Sequence, residues 1–129
     1  MNDDGGQALV ELALVLPLLL ALALGLAVLA ELGVARLALE QAAAEGARAG
    51  ALTNDDGQVR ATVEAAVAPL DPSRVSVVVD PPGALRPVDP RGTLLRVRLA
   101  YALPVPLGFA GAPRLVVRGA AARRIEWMP

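Results

Sequence analysis

From Leu12 to Ala30 the chain reads LALVLPLLLALALGLAVLA, nineteen residues without a charge or a strongly polar side chain. At about 1.5 Å of rise per helical residue such a run covers roughly 28 Å, close to the hydrocarbon thickness of a bilayer. Leu and Ala favour helix, and a helix satisfies its own backbone polar groups, as hydrocarbon requires; the run is read as a transmembrane span. Pro17 removes one helical hydrogen bond and predicts a gentle kink at most. The competing reading is a secretory signal cut ahead of Glu31, with Val28 and Ala30 as the small residues. Against it, MNDDGG carries no basic side chain, Glu11 interrupts the approach, and the run exceeds an h-region of about 7 to 15 residues.

The helix is expected to continue past the membrane. ELGVARLALEQAAAEGARAGAL, residues 31–52, has no Pro and is rich in Ala, Leu, Glu, Gln and Arg. Helix from Ala8 to about Leu52 would form a rod on the order of 65 Å, half of it outside lipid. Leu32, Leu39, Ala42, Ala43, Gly46 and Gly50 recur at three-, four- and seven-residue spacings and share one side. Ala42, Gly46 and Gly50, four apart, make a small-residue groove that admits a close backbone. Two occupants fit: a neighbouring helix in an assembly, or this chain's own head. Arg36 with Glu40 and Glu45 with Arg48 are within helical reach, worth a few tenths of a kcal/mol each as solvated pairs.

Charge is uneven along the chain. Asp3, Asp4, Glu11, Glu31, Glu40 and Glu45 against Arg36 and Arg48 give residues 1–52 a net −4, whereas ten arginines against seven acids give the remainder +3. A positive-inside count, resting on Arg36 and Arg48 alone, favours a cytoplasmic C-terminal side; a whole domain behind one span can be translocated regardless. One Tyr, one Phe and one Trp leave no stacking surface for single-stranded nucleic acid, so no nucleic-acid partner is expected. With no His, Cys or Lys, the chain lacks the commonest general base, the usual zinc ligands and a Schiff-base amine. No catalytic residue, metal or cofactor is assigned.

The 77 residues from Thr53 onward have room for one small core. Asn54, Asp55, Asp56 and Gly57 break the helix, and Asp55 or Asp56 is placed to cap the next. Val59, Val63, Ala66, Val67 and Leu70 then repeat at helical spacing up to about Pro69. After that the period falls to two. Val75, Val77 and Val79 alternate with Ser76, Val78 and Asp80; Leu95, Val97, Leu99 and Tyr101 with Arg96, Arg98 and Ala100; Leu115 and Val117 with Arg114, Val116 and Arg118. Three antiparallel strands are expected, punctuated by DPPG at 80–83, DPRG at 89–92 and the stretch from Pro104 to Pro113. The fold class is α+β: a long N-terminal transmembrane helix running into a small head with a second helix and about three strands. Arg96, Arg98, Arg114 and Arg118 fall on one sheet face, as a solvated surface or an anion- or partner-binding stripe.

The ordered set of GQALVELALVLPLLLALALG and ARLALEQAAAEGARAG resembles the TadE-like proteins of tight-adherence pilus systems over about residues 5 to 50. Its parts are the small residue and Gln before the span, Glu11 at its entrance, the LVLP step ending in Pro17, and the AAAEGARAG run. The resemblance implies a pilin-like or pseudopilin-like subunit with its N-terminus in the cytoplasm and its head outside. Its implied partners are other pilin-like subunits, an inner-membrane platform, a secretion ATPase and the lipid bilayer. Such precursors carry a Gly followed, as here from Gly6 to Glu11, by a Glu as the fifth residue after it. Cleavage by a prepilin peptidase would make residues 1–6 a leader and Gln7 the new N-terminus. The acidic leader and Leu12, where major pilins of the pathway carry Tyr, depart from the pattern. Three segments follow: 1–6, the helix 7–52 with its span at about 12–30, and an extracytoplasmic head at 53–129. The assembly residues are then Glu11, Ala42, Gly46 and Gly50. Independently of the family, a carboxylate at the edge of hydrocarbon costs a few kcal/mol unless solvated or neutralised, for instance by a neighbour's free amine. A bitopic anchor with a periplasmic protein-binding head is the alternative.

Overall fold

The computed structural model describes residues 4–104 and 114–129. Residues 1–3 of the expected leader and residues 105–113 of the expected third loop lie outside the described residues. Helix α1 (Asp4–Thr53) runs through Pro17 and is followed by α2 (Asp56–Ala66). Strands β1 (Val75–Asp80), β2 (Leu94–Pro104) and β3 (Arg114–Arg124) form one antiparallel sheet in the order β1-β2-β3. The long apolar helix, the second helix and the three strands are the expected α+β set.

By compactness the chain divides into residues Met1–Glu31 and Leu32–Pro129. In the first unit the apolar side chains of α1 lie bare, Leu9 at 69% and Leu18 at 70% exposed. The second unit takes in the rest of α1, so packing draws a division 21 residues before the one at Thr53 suggested by the helix end. Ala35, Ala38, Leu39, Ala42, Ala43, Gly46, Ala47, Gly50 and Ala51 alternate by three and one, and all are buried. That is the inward stripe of a helix seated on a core.

The core facing this stripe comes from Val59, Val63 and Val67 of α2 and its C-cap, from Leu95, Val97, Leu99, Tyr101 and Leu103 of β2, and from Val79 and Val117. Alternation along each strand sends these residues inward and Arg96, Arg98, Arg114 and Arg118 outward. Both helices cover one face of the sheet. α1 lies over the β3 side, where a Cβ on Gly119 would meet the Leu39 carbonyl carbon at 2.7 Å and the Glu40 amide nitrogen at 2.8 Å. α2 reaches β1, Arg60 Nη1 donating to the Val77 carbonyl at 3.2 Å.

Local chemistry ends each element. Asn54, at φ 53°, donates its N–H to the Gly50 carbonyl at 2.9 Å and closes α1 in the left-handed conformation that Asn tolerates. Asp55 is the N-cap of α2, accepting from the Gly57 amide at 2.7 Å. In the β1–β2 connection, Thr93 donates to the Pro90 carbonyl at 3.0 Å across a turn whose Gly92 has φ 78°, a value that favours glycine. After β3 the chain returns to α1: the Glu126 and Trp127 amides donate to the Ala51 carbonyl at 2.8 and 3.0 Å. These bonds satisfy an acceptor in the last turn of α1, which the helix itself leaves unpaired.

Candidate assembly surfaces

Three surfaces bear on what this chain does: the bare apolar part of α1, the small-residue stripe, and the outer face of the sheet. The first belongs to the one described helix long and apolar enough to cross a membrane, and it suggests a membrane anchor. Gly6, Gln7 and Glu11 lie exposed in its opening turns, where a Cβ on Gly6 would meet nothing within 4 Å. Among the described residues Glu11 has no ion-pair partner.

The stripe of Ala42, Gly46 and Gly50 is occupied by the chain's own head. A Cβ on Gly46 would stand 2.6 Å from Val63 Cγ2, and one on Gly50 would meet Val59 Cγ2 at 2.7 Å and the end of Leu95. Ala42 is wholly buried. Of the two occupants the sequence allowed, the structure has the intramolecular one, and no groove remains open there for a neighbour's helix. The glycines let two valines of α2 and one leucine of β2 approach the α1 backbone, as small residues do at close helix crossings.

A residue that periodicity did not single out holds the head together at its turns. Arg86, whose side chain is 1% exposed, pairs with Asp56. Its Nε donates to the Pro81 carbonyl at 3.0 Å, and Nη1 donates to the Asn54 carbonyl and to Asn54 Oδ1, each at 3.1 Å. Asp56 also accepts from the Gly83 amide at 2.9 Å. One guanidinium therefore ties the 80–86 loop to the α1–α2 junction. The only signal in the sequence was an arginine inside an otherwise apolar, proline-rich loop, PPGALRPV.

Two exposed carboxylates are perturbed, both within turns. The Ser73 hydroxyl, then its amide, hold Asp71 below its ordinary value, with a smaller contribution from the Arg74 charge. Hydrogen bonds from the Arg91 guanidinium, then from its amide, do the same for Asp89, and Asp89 raises Arg91 in return. These are capping interactions. Among the described residues no cluster of three or more Asp, Glu, His or Cys has metal-site geometry.

The outer sheet face presents Arg96, Arg98, Arg114 and Arg118, all exposed, as strand alternation required. Nearby, Arg74 lies over the Tyr101 ring at 5.5 Å and donates to the Ala102 carbonyl at 3.1 Å, covering the end of the core with its stem.

No curated protein and no solved structure matches the chain. The family model for TadE-like protein matches residues 6–48, which takes in Gly6, Glu11, the whole apolar run and most of the small-residue stripe. Over residues 6–48 the chain is thus similar to TadE-like proteins, a family that suggests a role related to pilus assembly.

Proposed function

We propose that the chain is a structural, non-enzymatic subunit of a tight-adherence, type IV-like pilus or of the related secretion assembly, a minor pilin or pseudopilin. The observation that carries this reading is the order of parts within one helix: Gly6 to Glu11, the apolar run, then the small-residue run, all inside the TadE-like match. The N-terminus is cytoplasmic and the head lies outside. A prepilin peptidase cuts after Gly6, and Glu11 then neutralises the Gln7 amine of a neighbouring subunit within the bilayer, where an unpaired carboxylate is costly. Other pilin-like subunits, an inner-membrane platform and a secretion ATPase are the partners.

N-terminal mass spectrometry of the protein extracted from membranes tests this, with a start at Gln7 expected. A start at Met1 or Asn2 in a strain with active prepilin peptidase would overturn the processing step. A start at Glu31 would make the apolar run a secretory signal. A reporter fused after Pro129 that works only in the cytoplasm would reverse the topology and remove the pilin reading.

A second reading, a bitopic anchor with a periplasmic protein-binding head, is favoured by one feature: the small-residue stripe is filled from within, while the outer sheet face is bare. Shearing separates the two, since a fibre subunit leaves with the surface filaments and an anchor stays with the membrane.

A further inference from the structure

The bare face of the sheet has a composition that a purely solvated surface does not need. Across the strands, Arg96 lies between Asp80 and Ala122, Arg98 between Val78 and Ala120, and Ala100 between Ser76 and Arg118. These residues frame two adjoining shallow depressions. One, of about 320 Å³, is bounded by Arg96, Arg98 and the alanines 120–122. The other, of about 440 Å³, is bounded by Ser76, Val78, Arg98, Ala100 and Arg118. Arg98 forms the wall between them.

The floor is apolar and open to solvent, with Val78 47% and Val116 59% exposed beside the alanines. Among the described residues Asp80 is the one carboxylate on this face, 4.0 Å from Arg98 and itself half exposed. Among the described residues Arg96 and Arg118 have no ion-pair partner. A face that only meets water is served by interspersed charges of both signs. Arginine over an apolar floor is instead a composition that protein interfaces favour, and the guanidinium fork matches a carboxylate with two hydrogen bonds.

We infer that this face docks a carboxylate-bearing amphipathic helix of a partner protein. The segment's apolar side rests on the alanines and valines, and its Asp or Glu side chains pair with Arg96, Arg98 and Arg118. Size fits such an occupant. Eleven residues of β2 extend about 36 Å and the three strands stand about 4.8 Å apart, room for one helix rather than a broad globular surface. A helix here would also cover the sheet's second face, completing a third layer. A polyanion such as nucleic acid or a phospholipid surface would gain nothing from the apolar floor, and among the described residues the face offers no aromatic ring for bases to stack on.

The inference rests on the head being a module for protein contacts, as proposed above, but its test is independent of processing and fibre association. The full chain in neutral detergent is titrated against a labelled helical peptide of Glu, Ala and Leu, in which a stripe of Leu is flanked on the same side by Glu spaced four apart. Saturable binding is expected. Arg98→Glu with Arg118→Glu should weaken it about tenfold or more, while Arg48→Glu, on the exposed side of α1, leaves it unchanged. Equal denaturation midpoints establish that the double variant is folded; should it not fold, Arg98→Gln with Arg118→Gln reads the same loss. Absence of saturable binding, or binding indifferent to both double variants, would overturn the inference. So would tighter, Arg98-dependent binding of polyphosphate or of anionic phospholipid nanodiscs than of the peptide. A Gln7 start together with a failed peptide titration would sink this inference and leave the pilus reading standing; the reverse pair would do the opposite.

Discussion

Gly46 shows how one residue type can point in two directions until its neighbours are known. In an isolated helix, replacing it by Leu improves local propensity by close to 1 kcal/mol. In the folded head the new side chain would enter space held by Val59 and Val63. Overpacking of a filled site costs about 1 to 3 kcal/mol. Gly46→Leu is therefore expected to lower the denaturation midpoint and expose the head to protease; a head of unchanged resistance would mean that the seat is not as tight as its geometry. Arg86 is a second such residue. Arg86→Ala would strand Asp56 and two backbone carbonyls that the guanidinium now satisfies, for a loss of about 2 kcal/mol or more. Arg86→Lys should recover only part of that, because an ammonium cannot reach three separated acceptors as a planar fork does. Equal midpoints for the Lys variant and the wild type would count against the clamp.

At the scale of elements, short side-chain caps set where helices and turns stop, and two of them make stability depend on pH. Asp71 and Asp89 titrate below their ordinary value when folded. Such a group favours the folded state fully above the unfolded carboxylate's pKa, and loses that contribution as pH falls through the lower, folded value. Both are exposed to solvent, so the effect is small and graded. Denaturant midpoints measured from about pH 6 to pH 2 should fall with acid, and the fall should be shallower in the variant with Asp71→Asn and Asp89→Asn. Asn keeps an acceptor for the Ser73 and Arg91 amides, so the turns themselves persist. An unchanged acid slope would show that other carboxylates carry the dependence.

At the scale of the whole molecule, the head is not what remains after the helix is removed. Nine inward residues from Ala35 to Ala51 lie against α2 and the sheet, and the tail after β3 bonds back to Ala51. A fragment of residues 32–129 is expected to fold cooperatively without the apolar run. Residues 53–129 alone would leave one face of a three-stranded sheet largely uncovered and are expected to stay unfolded, since so small a chain has little burial to spare. Circular dichroism with thermal melting of the two fragments distinguishes these outcomes; a cooperative melt from 53–129 would mean that the head does not need the α1 stripe to fold.

The sequence by itself determined the elements, because each is written in local pattern. A run of nineteen uncharged residues, a break at Asn54–Gly57, a period near four and then a period of two each follow from backbone geometry and require no knowledge of what lies opposite. The likeness to TadE-like proteins was legible for the same reason, since the matched residues 6–48 are contiguous in the chain. What only the tertiary structure decided were the pairings between distant segments. Gly46 and Gly50 had two possible occupants, and contact with Val59, Val63 and Leu95 chose between them. Gly119 was singled out by no pattern, and only the fold brings the backbone of Leu39 and Glu40 against it. Arg86 carried no periodic signal at all, because only Pro81 is near it in sequence; Asn54 and Asp56 stand 32 and 30 residues away and meet it only when the fold has brought them together.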